Sequence, residues 1–321
     1  EEEEDDDDGV DSSGFFLLSA ETYPYALAGK TGFQIWPGAR ILVDVLTFPR
    51  RSDDSTALHY WQQRMFRQQL QPGVDSNTTA SSPPCHVLEL GAGVGVVGTC
   101  LAACGAEVLM TDLPTVVTKS LIPNLRRNAV RYNSNNDTRQ QSPAPPNWLQ
   151  QTENDAKCRH EAIFSIGHAG WVATAALDWT KPLHQQLSTC QYQTLDLIIA
   201  SDCVWLASML DGVLSTVQTI FDAAAAANSN TPKLLLSFQR RDSEMFTNVD
   251  RVLHEIQQVR GWHVSCLAWY PVSNLENSDN ENHVQYSNQT VDPSDGAGKL
   301  ADNEVFLFEV SPIHPNGAMR C

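Results

Sequence analysis

The chain of 321 residues sets 38 acidic against 21 basic side chains, a formal net charge of −17 at pH 7, and is 42% hydrophobic. Such a length supports a substantial buried core in one large domain or two, and the modest apolar fraction points to a folded core diluted by polar insertions. Acidity with no basic stripe argues against nucleic acid as the main partner, and no apolar run approaches the ~20 residues that span a bilayer.

Residues 1–8 are all acidic, and a like-charged run of that kind is a solvated, disordered tail. Short extended pieces are expected at 15–18 and 32–36. Pro37 then opens an amphipathic helix with Ile41, Leu42, Val45 and Leu46 on one face, since proline suits the first helical turn. A second helix is expected over 55–70, with Leu58, Trp61, Met65, Phe66 and Leu70 at helical spacing. The Ser/Thr/Pro-rich stretch 71–84 reads as a connector.

From His86 the pattern is strand, glycine loop, helix, strand, helix. Residues 87–90 and 107–111 read as apolar strands, 94–104 as a helix rich in Val and Ala, and 114–132 as a helix that Pro123 kinks or divides. Residues 133–168 hold no sustained period and are expected to be disordered or loosely packed. Strands follow at 171–178, 195–201 and 233–238, with helices at 206–227 and 243–260, the latter ended by Gly261. The last two strands, 262–269 and 305–310, are separated by a polar excursion at 271–303 without helix-length periodicity.

Strands alternating with helices imply a mostly parallel sheet covered on both faces. With no crossover helix between them, the last two strands form an antiparallel hairpin at one edge. A dinucleotide-binding domain would reach its sixth strand through another helix, so the order favours a seven-strand methyltransferase architecture. The expected organisation is an acidic tail at 1–14, a single domain at 15–311 with a helical extension at 15–84 and insertions at 133–168 and 271–303, and a tail at 312–321.

The segment VLELGAGVGVVG, residues 87–98, carries two overlapping patterns. One is the dinucleotide fingerprint G-x-G-x-x-G; the other is an acidic-x-G-x-G-x-G run that suits S-adenosylmethionine. A tight glycine turn and a helix N-terminus serve either cofactor, and so does Asp112, placed 21 residues after Gly91 where a carboxylate takes ribose hydroxyls. Glu89 separates them. A carboxylate two residues before the loop would repel a pyrophosphate, whereas it favours a ligand carrying sulfonium and ammonium charges. The alternative for Glu89 is a purely local role, hydrogen bonding to backbone N–H groups of the loop.

Eight cysteines show neither C-x-x-C nor a regular framework. Cys100 and Cys104 at i, i+4 read as buried small hydrophobes rather than metal ligands, so no metal is expected. Reduced thiols place the chain in the cytoplasm, with the nucleus admitted as well.

Four segments, GFQIWPGARIL (32–42), VLELGAGVGVVG, ALDWT (176–180) and IIASDCVW (198–205), fall in the order found in methyltransferase family 16. The chain resembles the seven-strand protein-lysine methyltransferases of that family from about Gly32 to Phe238. The resemblance implies S-adenosylmethionine as cofactor and a protein lysine as acceptor, in a chain expected to be a monomer. It places Trp36 over the cofactor, Gly91, Ala92 and Gly93 at its amino-acid moiety, Asp112 at the ribose, Trp179 at the adenine and Ser201 against it at the end of a strand. Each has a plainer alternative: Trp36 and Trp179 as core aromatics, Ser201 as a helix cap, and Asp178 as either an adenine ligand or a strand terminator. Asp202 and Trp205 align with the family's D-x-x-Y/F signature, with Trp in the aromatic position. A carboxylate attracts an ammonium and an aromatic face holds its stem. On this reading Asp202→Ala stops methyl transfer while leaving cofactor affinity nearly intact. The alternatives are methylation of a small molecule, nucleic acid or protein histidine, or a cofactor-binding interaction protein with weak catalysis.

Overall fold

The computed structural model describes residues 32–47, 56–66, 83–129, 144–150, 160–167, 170–204, 206–227, 229–239, 248–271, 285–286 and 304–313. Helices α1 (Pro37–Thr47) and α2 (Thr56–Phe66) lead into β1 (His86–Leu90), α3 (Val96–Ala103) and β2 (Glu107–Asp112). Helix α4 follows as Pro114–Val116, a π-type turn Val117–Leu121 and Ile122–Asn128. After a 3-10 turn at Asn147–Leu149 come β3 (His160–Ile166), β4 (Gly170–Ala176), α5 (Thr189–Gln193), β5 (Leu197–Ser201), α6 (Ala207–Ala226) and β6 (Lys233–Gln239). Helix α7 runs from Val249–Leu253 into a π turn at His254–Val259, and β7 (Trp262–Pro271), β8 (Gln285–Tyr286) and β9 (Glu304–Pro312) end the order.

These strands form one sheet in the order β3-β4-β2-β1-β5-β6-β9-β7-β8. β4, β2, β1, β5 and β6 are parallel neighbours. β9 runs antiparallel to both β6 and β7. The expected C-terminal antiparallel pair is therefore present, but its last strand lies inside the sheet, between β6 and β7. Period-two alternation explains why both faces are apolar. Val87, Val108, Met110, Leu197, Ile199 and Leu235 pack on one face with α1, α3 and α4. Their chain neighbours Leu88, Leu109, Ile198, Leu234 and Leu236 pack on the other with α6 and α7.

Three elements depart from expectation. The described parts of 133–168 are built into the fold: β3 pairs antiparallel with β4, Leu149 is fully buried, and Trp148 stacks on His86 with ring centroids 4.6 Å apart. In α4 the break precedes Pro123, in the π turn. A proline ring clashes with the carbonyl four residues back, here that of Lys119, and a widened turn at that point relieves the clash. The helix expected from 243 begins at Val249, where the Asn248 side chain accepts the Arg251 N–H. The acidic tail, the connector 71–82, the rest of the two insertions except Gln285–Tyr286, and Trp205 lie outside the described residues.

Candidate functional site

The parallel strands β1, β2, β4 and β5 end on the same edge, where open α/β sheets hold ligands. An open cleft lies there. The segment 32–36, the glycine loop, the end of β2, the turn after β4 and the end of β5 all line it.

The glycine loop and Asp112 form one preorganised unit. Asp112 Oδ2 accepts the Gly93 N–H at 2.7 Å and Oδ1 accepts the Leu113 N–H at 2.7 Å. Ala92 N–H donates to the Thr111 carbonyl at 2.9 Å. Burial pushes the Asp112 carboxyl up to about 6, against the pull of those two N–H donors, so at neutral pH it is ionised. Each carboxylate oxygen keeps a further lone pair for a ligand hydroxyl. Gly91 sits at φ +67°, and a Cβ on it would come 3.0 Å from the Cys203 Cβ and 3.2 Å from the Trp179 ring. Only glycine allows this turn beside those walls.

Of the residues expected to hold a cofactor, Trp36, Gly91, Ala92, Gly93, Asp112, Trp179 and Ser201 all line the cleft. Trp36 is only partly buried and lies outside the two core clusters, whereas Trp179 lines the cleft while also packing against one of them. The Trp179 indole Nε1 is buried without a hydrogen-bond partner. Ser201 does not cap the next helix, whose cap position is Leu206. Asp178 is absent from the cleft wall. It closes a turn by accepting the Thr180 N–H at 3.0 Å and pairing with Lys181 at 3.0 Å; burial raises its carboxyl, but these partners outweigh it and hold it below the usual range.

Glu89 occupies a different place from the one expected. It shares the parity of Val87, lies behind the loop at 1% exposure and accepts the Gly98 N–H at 3.0 Å. It does not line the cleft. Burial pushes its carboxyl up to about 8, because desolvation disfavours the charged form. At neutral pH it is therefore protonated and presents no negative charge to a ligand. Its local role, tying α3 to β1, is the one the geometry supports.

Asp202 lines the cleft at φ 49°, the one non-glycine residue at positive φ among the described residues. Its carboxylate is not free: Oδ2 accepts the Gly38 N–H of α1 through a short hydrogen bond, and Oδ1 accepts the Gln239 N–H at 3.0 Å. Sequence reasoning missed Gly38 and Gln239, because backbone donors carry no residue signature. It also missed Leu113, Leu177, Cys203 and Met209 on the cleft wall; Leu113 and Cys203 are immediate neighbours of the acids that were singled out.

Among the described lining residues the only charged side chains are the carboxylates Asp112 and Asp202; there is no Lys, Arg or His. A pyrophosphate would meet only negative charge here, while a cationic ligand meets complementary charge. Residues 27–164 and 154–252 match the family described as lysine methyltransferase. The chain belongs to this family.

The methyltransferase takes S-adenosylmethionine as its cofactor, and the cleft fits that group in its charge, its glycine turn and its aromatic walls. None of the curated proteins compared matches the chain. Among solved structures, a TehB-like SAM-dependent methyltransferase from Corynebacterium glutamicum is 14% identical at a TM-score of 0.35, covering 71% of this chain and 81% of its own. A SAM-dependent methyltransferase from Clostridium acetobutylicum is 10% identical at 0.35, covering 70% and 83%. The glycopeptide N-methyltransferase MtfA complexed with sinefungin is 13% identical at 0.35, covering 86% and 98%. Among the described residues of the methyltransferase, no group of His, Cys, Asp or Glu is placed to hold a metal, and no helix is long and apolar enough to cross a membrane.

Proposed function

We propose that the protein transfers a methyl group to a lysine side chain of a protein substrate. The observation that carries this reading is a cleft whose only charged walls among the described residues are Asp112 and Asp202, in a chain of the lysine methyltransferase family. Gly91, Ala92, Gly93, Asp112, Trp36, Trp179 and Ser201 would hold S-adenosylmethionine, whose sulfonium supplies an electrophilic methyl when bound.

An acceptor lysine has an ordinary pKa near ~10.4 and must lose a proton before it is a nucleophile. Ala39, Cys203 and Met209 on the cleft wall would desolvate the amine, which lowers its pKa. The Asp202 carboxylate opposes that shift but favours an ammonium inside the cleft. Trp205, three residues on in sequence, would supply an aromatic face for the lysine stem. Residues that fix the approach of the amine would supply the orientation that accounts for much of the acceleration in a group transfer. The overall acidity of the chain suits a basic protein as partner.

The test is incubation of the protein with cell lysate and methyl-labelled cofactor, followed by mass spectrometry of the labelled band. Label on a lysine of a protein is expected. Label confined to RNA, to a small molecule or to histidine would overturn the lysine reading, and cofactor binding with no label anywhere would overturn catalysis.

A further inference from the structure

Asp202 stands at a junction that its expected acceptor-binding role does not explain. Helix α1 is anchored by Ile41, Leu42, Val45 and Leu46, all fully buried. Its first turn adds only the small buried residues Gly38 and Ala39, and the first N–H groups of a helix lack carbonyl partners four residues back within it. Gly38, the second residue of α1, gives its N–H to Asp202 Oδ2, while Gln239 at the end of β6 gives its own to Oδ1. The Asp202 N–H in turn donates to the Ser237 carbonyl at 3.0 Å. One carboxylate thus joins the head of α1 to the sheet, and a negative charge at a helix N-terminus adds to the strength of that bond.

The fit around Gly38 is close. A Cβ there would fall 2.5 Å from Asp202 Oδ2 and 2.7 Å from Ser237 Oγ, so glycine is the residue that lets the two groups meet. Directly before α1 runs the strap 32–36, which crosses the glycine loop: a Cβ on Gly93 would lie 3.3 Å from the Gly32 carbonyl oxygen. Gly32, Gln34, Ile35 and Trp36 of this strap all line the cleft.

We propose that Asp202 is a positioning residue, a latch that holds the strap 32–36, with Trp36, against the cofactor cleft by pinning the first turn of α1 to the end of β6. The proposal rests on the cleft being the S-adenosylmethionine site. It revises the expectation that Asp202→Ala spares cofactor affinity, because loosening the first turn of α1 frees one wall of that site. Aspartate serves better than asparagine, since both oxygens accept N–H donors and an amide would turn an NH2 toward one of them. Both residues tolerate the left-handed backbone at this position.

The experiment is titration calorimetry with S-adenosylhomocysteine on the full chain and on D202A, D202N, G38A and S237A, alongside hydrogen exchange of each. D202A and G38A are each expected to weaken binding by about tenfold or more, the scale of losing a buried charge-assisted hydrogen bond. Exchange at 33–40 should rise while β1 and β5 stay protected. D202N should fall between D202A and the parent protein. S237A removes a hydroxyl that is buried without a partner and should change nothing. Parent-like affinity and exchange in D202A and G38A would overturn the latch. A loss in S237A equal to that in D202A, or a general rise in exchange through β1 and β5, would overturn it as well. Failure of the parent protein to bind S-adenosylhomocysteine would instead remove the cofactor reading itself.

Discussion

At the scale of single residues, the three carboxylates singled out in the sequence do three different things. Asp112 stays ionised and lines the cleft, Asp202 is held by backbone donors, and Glu89 lies protonated behind the loop. Glu89 makes stability depend on pH in a stated direction. Its carboxyl is raised from 4.5 to about 8 by burial, so between those values the folded chain holds a proton that the unfolded chain releases. Stability from this group is fully present below the unfolded value and is lost as pH rises toward the folded one. A glutamine mimics the protonated form and can still accept the Gly98 N–H. Urea unfolding of the parent and of E89Q at pH 5, 6.5 and 8 is therefore expected to show the parent losing ground by roughly 1.4 kcal/mol per pH unit at most. A difference that stays constant across that range would mean that Glu89 is ionised in the fold. The sequence made Glu89 visible as a carboxylate near a ligand loop, but whether it faces the loop's outer or inner side depends on strand parity and on α3, which a motif does not encode.

At the scale of elements, the apolar strands and amphipathic helices were readable because packing on two faces forces near-continuous apolar runs, as in LDLIIAS at 195–201. The strand β3 was not. Its side chains at 162–165 are only half-buried, and an edge strand with one partner needs no such run. Trp148 was hidden for a similar reason: a single aromatic in a polar stretch has no period. It stacks on His86 and donates to Glu107 at the N-terminal ends of β1 and β2, away from the cleft. Burial lowers the His86 imidazole pKa, but the Glu107 carboxylate and the Thr194 carbonyl outweigh it and leave it raised. Replacing Trp148 with alanine removes the stack and one donor to a carboxylate of low exposure. The expected cost is about 1–3 kcal/mol of unfolding free energy, with S-adenosylhomocysteine affinity unchanged because the cleft is at the opposite strand ends. Denaturant unfolding and calorimetry on W148A check both halves. Unchanged stability would mean that the turn at Asn147–Leu149 merely rests on the sheet.

At the scale of the whole molecule, charge and topology combine in a way that composition already hinted at. The parallel order of β4, β2, β1, β5 and β6 delivers residues as distant as Asp112, Trp179 and Asp202 to one edge, where Gly32 packs on the glycine loop, and that convergence is why motifs scattered over much of the chain form one cleft. The net charge of −17 gives the chain as a whole an attraction for cationic groups. Attraction of this kind acts during encounter and is screened over a Debye length of about 10 Å at 0.1 M salt, whereas desolvated contacts at the reacting centre are screened far less. For a basic protein substrate, raising salt from roughly 0.05 to 0.3 M is therefore expected to increase KM several-fold and leave kcat nearly flat. Removing residues 1–8, which carry eight of the acidic side chains, should make the KM dependence shallower without altering kcat. Initial-rate kinetics across that salt range on both chains give the answer. A KM indifferent to salt would shift recognition to apolar contact, for which the exposed Phe33 (44%) and Ile35 (48%) offer a surface on the strap beside the cleft.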